Sequence, residues 1–143
     1  MPDAKHDFLT SPASLEQFVA EWESGTLPKP RWPHAAHLAV GACYTVRFGA
    51  SAFERTKAGI RRYNEAVGTV NGPDSGYHET LTRFWSLILA NALTGVTEPF
   101  AAAFKAVELF GEERSLHTRY YSFDVVRSTH ARQAWVPPDL QPL

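Results

Sequence analysis

Arg31-Trp32-Pro33-His34-Ala35-Ala36-His37-Leu38 reads as the opening of a buried helix. Pro33 suits a first helical turn, because the N–H it lacks would be unpaired there in any case. His34 and His37 stand three apart, so they share a helical face. Leu38, Gly41 and Tyr44 continue that face, which makes it the apolar one and turns both imidazoles inward. The helix is expected to run from about Pro33 to Phe48 and to stop at Gly49.

A second stretch, Gly76-Tyr77-His78-Glu79-Thr80-Leu81-Thr82, has the same character. His78, Leu81, Trp85 and Ile88 or Leu89 fall on one stripe, so His78 should also point inward, with Glu79 roughly 100° round the helix. The spacing predicts a helix from about Tyr77 to Leu93. It is the most apolar of the chain and is expected at the centre of the bundle. The two helix starts are read as facing each other. His34 and His78 would sit in first turns, where the positive end of the dipole and partial burial both disfavour imidazolium.

The remaining elements follow from stripes and stops. Ser11-Pro12 opens a first helix with Leu15, Phe18, Val19 and Trp22 on one side, ended by Gly25. Pro28 and Pro30 make an extended connector. A third helix, from about Ala52 to Val67, follows a Ser51 cap. Asn71-Gly72-Pro73-Asp74 marks a turn-rich loop of the kind that borders sites. Thr97-Glu98-Pro99 starts a fifth helix that Gly111 ends. Beyond Glu112 the pattern shortens into small helical pieces: one around His117, and two more that Ser122 and Ser128 would cap. The stretch Trp135-Val136-Pro137-Pro138 cannot continue a helix. The expectation is one all-α domain over residues 1–143, a compact bundle of about five helices with short C-terminal pieces. Residues 1–10 and 136–143 would be loose or draped tails.

With 143 residues, the chain is long enough for one real core. A formal net charge of −1, with no basic run, argues against nucleic-acid binding. No apolar run approaches a membrane span, and the polar first ten residues do not read as a signal peptide, so the expected setting is cytoplasmic. A single cysteine, Cys43, rules out an internal disulfide and a cysteine-based zinc cluster; it reads as a small core residue. The apolar stripes leave room for a homodimer face.

Chemistry is expected where the histidines gather. His34, His37 and His78, with His117 as a further member, form a candidate set of ligands for a divalent ion: Zn²⁺, Fe²⁺, Mn²⁺ or Ni²⁺. Glu79 would be a fourth ligand or a general base, with His78 beside it in catalysis. Trp32, Tyr44, Tyr77, Thr82 and Trp85 are the candidate contacts for a small-molecule ligand. The pattern is not His-Glu-x-x-His, so a zinc-protease reading fails. The reading is a metal-dependent enzyme acting on a small molecule. The alternative is a metal-free binding or acid–base protein using the same pocket. In a third reading the histidines merely satisfy buried main-chain carbonyls.

The pairing of Trp32-x-His34-Ala35-Ala36-His37-Leu38 with Tyr77-His78-Glu79-Thr80-Leu81-Thr82-x-Phe84-Trp85 resembles a bacterial family of small helical proteins. The similarity extends through Tyr120-Tyr121-Ser122 and Pro138-Asp139-Leu140. It implies a bacterial source and carries no reaction with it. A looser likeness is to helical metal proteins of the DinB type, which use three histidines; the spacing of His34 and His37 departs from theirs, which leaves an analogy of fold alone.

Overall fold

The computed structural model describes residues 6–143. Its elements are α1 (Pro12–Ser24), α2 (His34–Phe48), α3 (Ala52–Ala66), α4 (Glu79–Ala92), α5 (Pro99–Phe110) and a short α6 (Thr129–Gln133). Single 3₁₀ turns occupy Asp7–Leu9, Lys29–Arg31, Gly49–Ser51 and Leu116–Arg119. The described residues contain no sheet, only an isolated bridge between Gly72 and Ser75. The all-α expectation therefore holds. None of these helices is long and apolar enough to cross a membrane.

α1 begins on a reciprocal cap: Ser11 Oγ accepts from the Ser14 N–H while Ser14 Oγ accepts from the Ser11 N–H. It buries Leu15, Phe18, Val19 and Trp22. Gly25 ends it with φ at 75°, and a Cβ there would lie 2.7 Å from the Ala66 side chain. Both demands exclude other residues.

The centre of the bundle is α2, not α4 as its apolar content suggests. α2 packs against α5, α3 and α4, and it buries residues around most of its circumference: Ala35, Ala36, Leu38, Ala39, Val40, Ala42, Cys43 and Tyr44. The reason is size. Alanine, glycine and cysteine let neighbours come close, and Gly41 has Leu89 Cδ1 at 3.0 Å from where its Cβ would be. The apolar residues of α4 are divided between two cores. Leu89 joins the main one, with Trp22, Leu38 and Ala103. Phe84 anchors a second core with Leu116, Tyr121, Val125 and Ala131. Trp85 packs against both.

The described parts of both expected tails are held by contacts with the rest of the chain. Residues 1–5 lie outside the described residues, but Phe8 and Leu9 are core members, and Arg31 pairs with Asp7 at 3.0 Å. At the other end, the Asp139 and Leu140 N–H groups donate to the Tyr120 carbonyl. The Tyr121 hydroxyl donates to the Val136 carbonyl at 2.7 Å. Ser128 caps α6 as expected. Ser122 caps nothing; its N–H and hydroxyl both bond the Asp139 carboxylate.

The loop before α4 is ordered by Asn71. Its Oδ1 accepts from Asn64 Nδ2 at 2.9 Å and from the Tyr77 N–H at 3.0 Å, while its Nδ2 donates to the Arg61 carbonyl. Gly76 has φ at 77°, and a Cβ would stand 2.4 Å from the Val70 carbonyl oxygen. This anchoring fixes the point from which α4 starts.

Candidate functional site

Pro33 turns out to be the N-cap of α2 rather than its first helical residue, and it makes no side-chain capping bond. His34 and His37 therefore sit in the first turn on one face. His34 Nε2 lies 3.1 Å from the Phe110 carbonyl, which also accepts from the Glu113 N–H. Phe110 is the last residue of α5, where main-chain carbonyls lack helical partners, so the ring supplies a donor that α5 itself cannot. His37 Nδ1 lies 2.9 Å from the Pro33 carbonyl. A carbonyl only accepts, so both contacts assign the N–H to the bonded nitrogen and leave the lone pair on the other.

Aromatic rings flank the pair. Trp32 lies against His37 with centroids 4.0 Å apart, and Trp85 meets His34 edge-on at 5.1 Å. Trp22 stacks behind Trp32. Burial lowers the His34 pKa; its bond to Phe110 opposes the fall, and the Arg114 guanidinium adds to it. His37 is lowered by the same kinds of cause: crowding by the surrounding protein first, with Pro33 opposing. Its ring is nevertheless solvent-exposed, so water tempers the crowding. Both rings are neutral at neutral pH.

His78 belongs to a different group. It is the N-cap of α4, which starts at Glu79, two residues after the expected start. Its Nδ1 accepts from the Leu81 N–H at 3.1 Å, and its Nε2 donates to the Val125 carbonyl at 2.9 Å. Only 8% of the residue is exposed, and both ring nitrogens are occupied. Burial lowers its pKa against the pull of Val125, helped by Arg132 and His117. His117 is near enough to act on it. Burial lowers His117 as well, while the Arg114 carbonyl and Asp124 pull the other way; neither hydrogen-bonds its buried Nδ1, which has no partner.

Glu79 forms a third group, turned to Tyr77 and Lys57 rather than to a histidine. Its Oε1 accepts from the Tyr77 hydroxyl at 2.8 Å and pairs with Lys57 Nζ at 3.0 Å. Burial works to raise its pKa, but Lys57, Tyr77 and Arg83 outweigh that and hold it below the usual carboxylate value. A carboxylate so well neutralised is a poor general base. Burial and the Glu79 carboxylate push the Tyr77 phenol up, with Thr82 opposing, so Thr82 supports Tyr77 rather than His78. Tyr44 is buried and its hydroxyl is taken by Glu23. Burial raises the Cys43 thiol to about 12, which leaves it inert at neutral pH.

His34, His37 and His78 thus do not converge as expected. Each ring is tied to a different carbonyl, and among the described residues no group of three His, Cys, Asp or Glu side chains is placed to hold a metal. The structure does join His34 to Trp85 and His37 to Trp32. Sequence reasoning missed Lys57, whose partner Glu79 is remote in the chain. It also missed the Phe110 carbonyl, which the Gly111 stop signal could have marked as an acceptor without an intrahelical partner. Comparison with family models, curated proteins and solved structures gives no match.

Proposed function

We propose that this chain is a metal-free small-molecule-binding protein with acid–base capacity, its ligand meeting the start of α2. One observation carries the reading: His34 and His37 share a face, and each gives a single N–H to a main-chain carbonyl. The lone pairs then reside on His34 Nδ1 and His37 Nε2, in the neutral form that accepts protons. Trp32 and Trp85 supply aromatic walls, and Arg114 supplies positive charge. A planar ligand bearing a negative charge suits that combination. The near-balanced charge and the buried free thiol suit a cytoplasmic setting.

The metal-dependent reading has less support. Histidines that bind metals do donate their second N–H to carbonyls, as His34 and His37 do. A stable site needs at least a third donor, and His78 has no nitrogen to spare. The test is calorimetry and thermal melting of untagged protein with benzoate, with inorganic phosphate and with zinc alone. The expected result is stabilisation by benzoate that His34→Ala and His37→Ala each abolish and that a chelator leaves unchanged. Stoichiometric zinc binding lost in His37→Ala would overturn the proposal.

A further inference from the structure

Residues 125–136 are fastened to the start of α4 through a set of long-range hydrogen bonds. His78 Nε2 donates to Val125, and the Thr80 hydroxyl donates to the Ala134 carbonyl at 2.8 Å while accepting from the Val136 N–H at 3.0 Å. Arg132 Nη1 reaches the Gly76 carbonyl at 2.7 Å, and Thr129 bonds Asp74. This segment covers Phe84, which is fully buried in the second core.

His78 is the titratable member of the set, and it acts through both nitrogens. An imidazolium carries a proton on each, so it cannot accept from the Leu81 N–H. Protonation would set two donors against each other at the cap of α4. The charged and titratable groups around the ring would not relieve this. Arg132 of α6 and His117 of the Leu116–Arg119 turn both oppose a positive ring. Glu79, next in the chain, is committed to Lys57 and Tyr77. Asp124, next to Val125, acts on His117.

We propose that residues 125–136 form an acid-released strap, latched over the Phe84 core by neutral His78 and freed when that ring takes a proton. The strap is independent of the ligand reading at α2. The ring's folded pKa lies below the ordinary 6.5, so the open form binds the proton more readily. As pH falls from 6.5 towards the folded value, the opening equilibrium should rise, by at most about tenfold per pH unit.

Hydrogen exchange of the full chain, corrected for the intrinsic rate at each pH, tests this. In wild type the Leu81 amide and the amides of residues 126–136 should lose protection together as pH falls. His78→Asn keeps a capping oxygen without a titrating ring, and its strap protection should be flat over the same range. Equal acid sensitivity in His78→Asn, or an insensitive wild type, would overturn the proposal. If His78→Asn does not fold, wild-type NMR decides: strap opening must track titration of the His78 ring, and tracking His117 instead would refute it.

Discussion

The imidazole of His78 joins two parts of the chain that lie 47 residues apart, its Nε2 standing 2.9 Å from the Val125 carbonyl oxygen. The same ring caps α4 through Nδ1. A residue type usually read as a ligand or base is here fully occupied as a joint between main-chain groups. Replacing it with alanine removes the cap from the Leu81 N–H and leaves the Val125 carbonyl with only the long 3.3 Å bond from the Ser128 N–H. Those losses should cost about 2–4 kcal/mol in urea unfolding at neutral pH.

Thr80 is the companion joint. It is fully buried, and its hydroxyl donates to Ala134 and accepts from Val136. Thr80→Val keeps the shape but strands both groups, and should cost about 2–3 kcal/mol. Thr80→Ser keeps the hydroxyl and should lose clearly less. Equal losses in the two variants would show that packing, not hydrogen bonding, matters at this position.

Two helical glycines, Gly59 buried and Gly41 half-buried, should respond differently to alanine. At Gly59 a Cβ would meet the Trp22 ring at 2.3 Å, and that ring is wedged among Trp32, Tyr44 and Tyr63. Overpacking against an immobile ring should cost about 1–3 kcal/mol net of the gain in helix propensity. At Gly41 the nearest atom is the terminal Leu89 Cδ1, at 3.0 Å. A leucine methyl can turn away, so Gly41→Ala should lie within about 1 kcal/mol of wild type. Thermal melting of both variants checks the contrast.

Much of the architecture is legible in the sequence. Ser11-Pro12 and Glu98-Pro99 mark helix starts, and Gly25 and Gly111 mark stops, because caps are local chemistry. The central place of α2 is not legible, since hydrophobic stripes report polarity. What buries α2 is the small volume of its alanines, Gly41 and Cys43. His78 was identifiable as inward, whereas His37, expected inward with it, stands exposed at the start of α2; the partners of the histidines were not identifiable. Those partners are main-chain carbonyls of Phe110 and Val125, which carry no side-chain signature. The same holds for Glu79, whose Lys57 partner comes from α3.

Glu79 gives an acid-side prediction. Its folded pKa is held below the ordinary 4.5, so it stabilises the fold above that value, and the contribution is lost as pH falls through the folded value. Glu79→Gln should lower stability at neutral pH by about 1–2 kcal/mol, through the unpaired Lys57 and the lost charge at the start of α4. The gap between variant and wild type should close as pH falls below 4.5. A gap that stays constant in urea melts across that range would mean that Glu79 acts through shape alone.

His34, His37 and His78 are neutral imidazoles, the last with both nitrogens occupied and the first two each offering a lone pair. Ring-nitrogen NMR of untagged protein at neutral pH, with and without zinc, measures this directly. The expected spectrum has a proton on Nε2 of His34, on Nδ1 of His37 and on Nε2 of His78, with His78 unmoved by zinc. A His78 ring that is protonated on both nitrogens, or that shifts with zinc together with His34 and His37, would contradict it.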